Sequence, residues 1–345
     1  MSIKNWPGGY IKPIPPTPAG PYQDSAAPGV WTLDQVAYWQ KQGLWPTAGN
    51  IDTSNRGLFG AGYSSGYSTI NVIEYISIST TGNSTDFGDL TVARNSGVGA
   101  ASSTRGLFIG DGGNNTVDYV TISTTGNAID FGDMGPTGFY NPMGASNSTR
   151  AVYQYGYNLG TFNNVIFYLT IASTGNGLDF GDLTEARNTG GGLASPTRAV
   201  FGGGSTSVSY TNTMDYVTIA STGDAVDFGD LFTDQSTSTV GCSSSTRGLW
   251  MGGFTGSRTN IISYITIAST GDATDFGDLT VSRSSAMAAS SATRGVCAGG
   301  INSAAAAINV IDYVTIATTG NATDFGDLLV LYAIGGGFSN SHGGL

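Results

Sequence analysis

From residue 55 onward the apolar positions fall in short segments bounded by Gly, Ser, Thr and Asn. That punctuation predicts strands joined by tight turns. The stretch 96–133 shows the pattern. Residues 96–102 carry mostly Gly, Ala and Ser side chains, as a crowded strand requires. Residues 105–110 form a second apolar segment that closes on glycine. In 117–123, Val120 and Ile122 fall on one face and Tyr119 on the other. A strand with apolar side chains on both faces must be covered on both sides. Thr-Thr-Gly-Asn follows as a hairpin turn, Gly supplying the positive φ. The fourth, outer strand runs through Asp-Phe-Gly-Asp.

This four-strand unit recurs. Asp-Phe-Gly-Asp occurs six times, with its Phe at Phe87, Phe131, Phe180, Phe228, Phe276 and Phe325. A tyrosine stands 12 residues before each, at Tyr75, Tyr119, Tyr168, Tyr216, Tyr264 and Tyr313. Each unit opens on an arginine: Arg56, Arg105, Arg150, Arg198, Arg247 and Arg294. The period of 44 to 49 residues predicts propeller blades. The first unit has no small-residue strand before it, while residues 331–338 match that missing strand. The ring should therefore close through its C-terminal strand, without a free edge. The expected fold is all-β, a six-bladed β-propeller over 51–345 behind an extended Pro-rich arm over 1–50.

The layout resembles the Kelch-type propeller. A basic residue opens the second strand, a glycine pair closes it in most units, Tyr lies in the third and an aromatic in the fourth. It departs from that family in having Phe rather than Trp in the fourth strand, farther from the Tyr. The regular repeats also resemble those of virion structural proteins of tailed bacteriophages, marine and cyanobacterial ones especially. The segment 29–46 is similar to a short motif in such proteins. The resemblance implies a virion location, several copies per particle and synthesis in a host cytoplasm.

Composition narrows the chemistry. Charged residues are only 11% of the 345, against about 25% in ordinary chains, and 53 residues are glycine. The net charge of −11 argues against nucleic acid as a partner. No apolar run is long enough for a membrane span, and 1–7 have no secretory apolar core. With one His, His342, and two Cys, Cys242 and Cys297, neither a His/Cys zinc site nor a multi-histidine copper site can be built. No catalytic, metal or cofactor residue is assigned. The motif Asp residues are expected to accept hydrogen bonds, with the opening arginines as counter-charges. Calcium between them is a lesser alternative.

The arm differs from the repeats. It holds eight of the 11 prolines, four of the five tryptophans and all three lysines. Proline at that density predicts extended chain. One short helix is predicted, capped by Thr32 with Gln35 three residues on, and stopped by Gly43. Trp31, Leu33, Trp39 and Trp45 are too apolar for a solvated leader and are read as anchors on other virion proteins. The alternative is an arm folded back on its own domain. Within the repeats, one unit breaks the pattern with Phe139, Tyr140, Tyr155 and Tyr157. These suit contact with a host glycan or a protein, or else a locally larger core. Loop length varies most between second and third strands, which marks that face for binding. A carbohydrate-binding adhesin is therefore the second functional reading, and an oxidase or glycosidase a distant third.

Overall fold

Each repeat folds into one antiparallel sheet of four strands. The computed structural model describes residues 55–345, apart from 65–67, 111–112, 114, 136–138, 159 and 233–238, together with two short strands near residue 5. The chain divides into two units, Met1–Thr53 and Ser54–Leu345. In the first, Asn5–Trp6 pairs with Gly9–Tyr10. The helix expected from Thr32 and the anchors Trp31, Leu33, Trp39 and Trp45 lie outside the described residues.

The second unit is an all-β, six-bladed propeller. Blades are numbered here by their opening arginine, from Arg56 in blade 1 to Arg294 in blade 6. Blade 2 shows the order from axis to rim: Val98–Ala101, Arg105–Ile109, Thr116–Thr121 and Ile129–Asp133. Blade 1 takes its innermost strand from the far end of the sequence. Gly336–Ser339 pairs with Arg56–Gly60, from Gly57↔Ser339 to Gly60↔Gly336. The expected closure is thus present.

Apolar burial runs around the ring. There are six hydrophobic clusters among the described residues, and each lies between adjacent blades. Between blades 1 and 2, Leu58, Ile73 and Phe87 meet Phe108, Val120 and Ile122. Each such side chain stabilises by roughly 1.5–3 kcal/mol when fully buried. Near the axis, space decides the sequence. A Cβ added to Gly192 would lie 2.3 Å from the Gly144 carbonyl oxygen of the preceding blade. Only very small side chains permit that approach.

At the rim, Asp-Phe-Gly-Asp forms a β-bulge. In blade 2 the register steps from Val117↔Gly132 to Asp118↔Asp130, leaving Phe131 unpaired. The extra residue turns Phe131 into the interface core. The same step occurs in all six outer strands. Antiparallel order then gives the ring two faces. One carries the loops between second and third strands, and is called the loop face. The other carries the Thr-Arg turns, the Gly-Asn or Gly-Asp turns, and residues 340–345.

Removing residues 336–345 should expose the edge of Arg56–Gly60 and take Phe338 from its cluster. A lower, less cooperative melting transition with soluble aggregates is expected in calorimetry and size-exclusion chromatography. Melting like the intact chain would show that closure adds no stability.

Candidate functional site

The repeated motifs must be assigned before any residue can be called free for binding. The turn glycine of each blade reaches the rim of the blade before it. Gly126 N–H donates to Phe87 O at 2.7 Å and Ala128 N–H to Asp89 O at 2.8 Å. In return, Asp89 N–H donates to Asn127 Oδ1 at 3.1 Å. The same three bonds occur at all six junctions, with Asn or Asp after the turn glycine. Gly88 is required twice over. Its φ is +146°, and an added Cβ would lie 2.5 Å from the Gly126 backbone. Asp-Phe-Gly-Asp therefore serves the junction through its main chain as well as through its buried Phe.

The opening arginines do not pair with those carboxylates, which corrects the expectation from sequence. Each guanidinium lies over the Tyr of its own blade, 4.5–4.7 Å from the ring centroid. Its Nη1 donates to a carbonyl of the following blade, as Arg247 does to Ile316 O at 2.9 Å. The others bond Ile122, Ile171, Ile219, Ile267 and Ile78 in the same way, at 2.9–3.1 Å. The Tyr ring in turn meets the motif Phe edge-on, with centroids 5.8–6.1 Å apart. The physical reason is reach. The motif Asp residues lie on the outer strand, while the guanidinium, held over its Tyr, meets a main-chain carbonyl of the next blade.

Buried carboxylates do find arginines, at every second junction. Arg94–Asp118, Arg187–Asp215 and Arg283–Asp312 are ion pairs at 2.5–2.8 Å, with side chains 0–1% exposed. They span blades 1–2, 3–4 and 5–6. Each arginine ends a Leu-Thr-x-x-Arg segment, and the Thr hydroxyl bonds the same Asp. Between blades 6 and 1 Glu74 replaces the Asp, accepting from Leu329 N–H and Val330 N–H. Burial raises the Glu74 carboxyl above the usual range, against those hydrogen bonds. Phe167 and Ser263 hold the matching places at the remaining two junctions. Sequence reading missed this alternation, although Leu-Thr-x-x-Arg was visible.

The inner strands enclose a cavity of about 140 Å³. Its loop-face mouth carries residues with positive φ, among them Ser96 (58°), Thr189 (61°) and Ile334 (61°). A left-handed β-branched residue is strained, and the surrounding packing holds it. Ile334 is fixed by its neighbours: its N–H donates to Ser285 O and its carbonyl accepts from Ser96 N–H. The opposite mouth is crossed by residues 340–345. His342 Nε2 donates to Ala101 O at 2.8 Å, and its Nδ1 accepts from Gly344 N–H at 3.1 Å. Both ring nitrogens are thus satisfied in the neutral form. Burial lowers the His342 pKa to about 4, against the bond to Ala101. Burial also raises the Cys242 and Cys297 thiols, so neither is an activated nucleophile. No group of three or more His, Cys, Asp or Glu is placed to hold a metal among the described residues.

The aromatic group of blade 3 is dispersed. Tyr155 is buried, its hydroxyl donating to Met134 O at 2.6 Å while its ring packs on Phe167. It is core and is not available for ligand stacking, which corrects the expected surface role. Tyr153 donates to the same carbonyl. Tyr157 is half-buried against Phe162, and Tyr140 is 40% exposed opposite it. Phe139 lies on the same strand as Tyr140. Two further aromatics stand on the loop face, Tyr210 and Phe232, at 42% and 50% exposure. Sequence reading passed over both, because neither falls in a repeated motif or an aromatic run.

Two outcomes follow from these contacts. Arg247→Ala should destabilise the ring by about 1–3 kcal/mol through loss of the carbonyl bond and the Tyr264 contact, read by denaturant unfolding. An unaltered midpoint would make that arginine ornamental. The single His allows a direct pH test. Between about 4 and the unperturbed 6.5, an undocked His342 binds more protons than a docked one. Docking of 340–345 should therefore be complete above pH 6.5 and weaken as the pH falls towards 4. An imidazole NMR titration midpoint near 4 is expected, whereas one near 6.5 would mean the ring is solvated.

No protein-family model matches the sequence, and no curated protein matches it.

Proposed function

We propose that the chain is a non-enzymatic structural protein of a tailed-phage virion, residues 1–50 docking on other virion proteins while the ring is displayed outward. The observation that carries this reading is how the ring uses its cations. Residues 51–345 contain ten arginines and no lysine. Nine of the ten bond a carbonyl or a carboxylate across a blade junction. A domain that commits its basic side chains to its own closure suits a rigid display unit. The 22 carboxylates of the same span disfavour a nucleic-acid partner. The repeat resemblance to phage virion proteins supplies the assembly, and multiple copies per particle fit it.

The second reading is a carbohydrate-binding adhesin for host recognition. Exposed Tyr140, Tyr210 and Phe232 on the loop face favour it, because flat amphipathic rings stack on sugars.

The test compares tagged full-length chain with a chain starting at Ile51 in assembling virions. The shorter chain should fold as a soluble ring and fail to join the particle, while the full chain joins it. Equal incorporation would move the attachment surface onto the ring.

A further inference from the structure

Among the described residues, Arg258 is the arginine that makes no hydrogen bond or ion pair across a blade junction. It lies in the projecting hairpin of blade 5, where Arg247–Phe254 pairs with Arg258–Thr266. It stands directly across from Phe254, with its guanidinium 5.9 Å from the ring centroid. Its Nε is buried and has no hydrogen-bond partner. No carboxylate pairs with it among the described residues.

Blade 4 projects a matching hairpin, Arg198–Ser205 with Tyr210–Thr218. Both hairpins extend past a glycine-made irregularity, at Gly203–Gly204 and Gly252–Gly253. The bulge bends each pair beyond the blade. The two hairpins then touch. Tyr210 meets Phe254 edge-on, with centroids 6.1 Å apart at 85°. Val208 at the tip of the first hairpin is 89% exposed. Phe232, half exposed, lies on the segment that crosses from blade 4 to blade 5 at this face.

The site thus offers two aromatic rings and one guanidinium with no carboxylate partner among the described residues, on a strongly acidic domain. The overall charge repels polyanions at long range. A single carboxylate on a small, otherwise neutral ligand escapes most of that repulsion and suits the fork of Arg258. Aromatic rings beside it suit the C–H face of a pyranose. We infer that the paired hairpins of blades 4 and 5 bind a carboxylated sugar of a surface glycan. Tyr210 and Phe254 pack on the pyranose, and Arg258 pairs with its carboxylate. This site rests on the glycan-binding reading and gives it a place and a sign of charge.

The experiment uses the full chain with two acidic probes, 3′-sialyllactose and trigalacturonic acid, and two neutral ones, lactose and maltotriose. Binding is read by saturation-transfer NMR and isothermal titration. At least one acidic probe should bind about tenfold more tightly than its neutral counterpart. Arg258→Gln should remove that difference, and Tyr210→Ala should weaken acidic and neutral sugars alike. Arg258→Gln should melt like the parent, because that side chain makes no hydrogen bond or ion pair across a blade junction. Tyr210→Ala should keep the folded ring, because it removes only the edge-on contact with Phe254 between the projecting hairpins. Failure of both acidic probes to bind, or equal binding to the Arg258→Gln variant, overturns the site. The neutral sugars keep the two ideas separate. If they bind while Arg258→Gln and Tyr210→Ala change nothing, glycan binding stands and this location falls.

Discussion

A four-stranded sheet with apolar side chains on both faces cannot bury them by itself. That constraint governs the propeller. Each of the six hydrophobic clusters is shared by two blades. An unpaired end blade would leave one apolar face in water, at a cost of several side chains of roughly 1.5–3 kcal/mol each. The strand Gly336–Ser339 is therefore more than an added hydrogen-bonding partner for Arg56–Gly60. It joins blade 1 to both ends of the repeat region, so every blade has two neighbours. The small residues at the axis follow from the same closure, since the inner strands pass within backbone contact distance of one another.

Polar groups reinforce those junctions in two opposite directions. Each turn N–H reaches back to the preceding rim, and each opening arginine reaches forward to the next blade. The chain thereby holds blades together mostly with main-chain acceptors. An acidic domain gains from that arrangement. Carbonyls attract arginine without adding charge, so the rim carboxylates remain in water, where they cost little. The buried carboxylates are few, and in three cases an arginine meets them. Removing one partner there would strand a charge in the core, which typically costs about 3–5 kcal/mol.

Blade number, strand order and closure were legible in the sequence because they rest on local signals. Small residues, turn glycines and the spacing of Tyr from Phe each report on a neighbouring few residues. The partners of the opening arginines were not legible. Arg247 and Ile316 are 69 residues apart, and a backbone carbonyl carries no sequence signature. Tyr155 misled for a related reason: an aromatic beside a loop looks like a surface residue until the next strand supplies Phe167 to cover it. The Tyr210–Phe254 pair was also hidden. It joins two repeats, and single-residue patterns within one repeat do not show which hairpins lean together. The arm is legible only as composition, and its anchors stay with the sequence reading.

The buried Arg–Asp pairs give the ring a period of two blades laid over its period of one. Odd and even blades are not interchangeable: one sends the arginine from the Leu-Thr-x-x-Arg segment that follows its Asp-Phe-Gly-Asp motif, and the next receives it on Asp118, Asp215 or Asp312. Loss of a single blade by recombination would set two senders or two receivers side by side, leaving a buried charge unmatched. The charges thus favour gain or loss of blades two at a time. A two-blade step keeps every Arg–Asp pair whole, while a one-blade step leaves a carboxylate or an arginine that only main-chain groups can meet, as Leu329 and Val330 N–H meet Glu74 between blades 6 and 1.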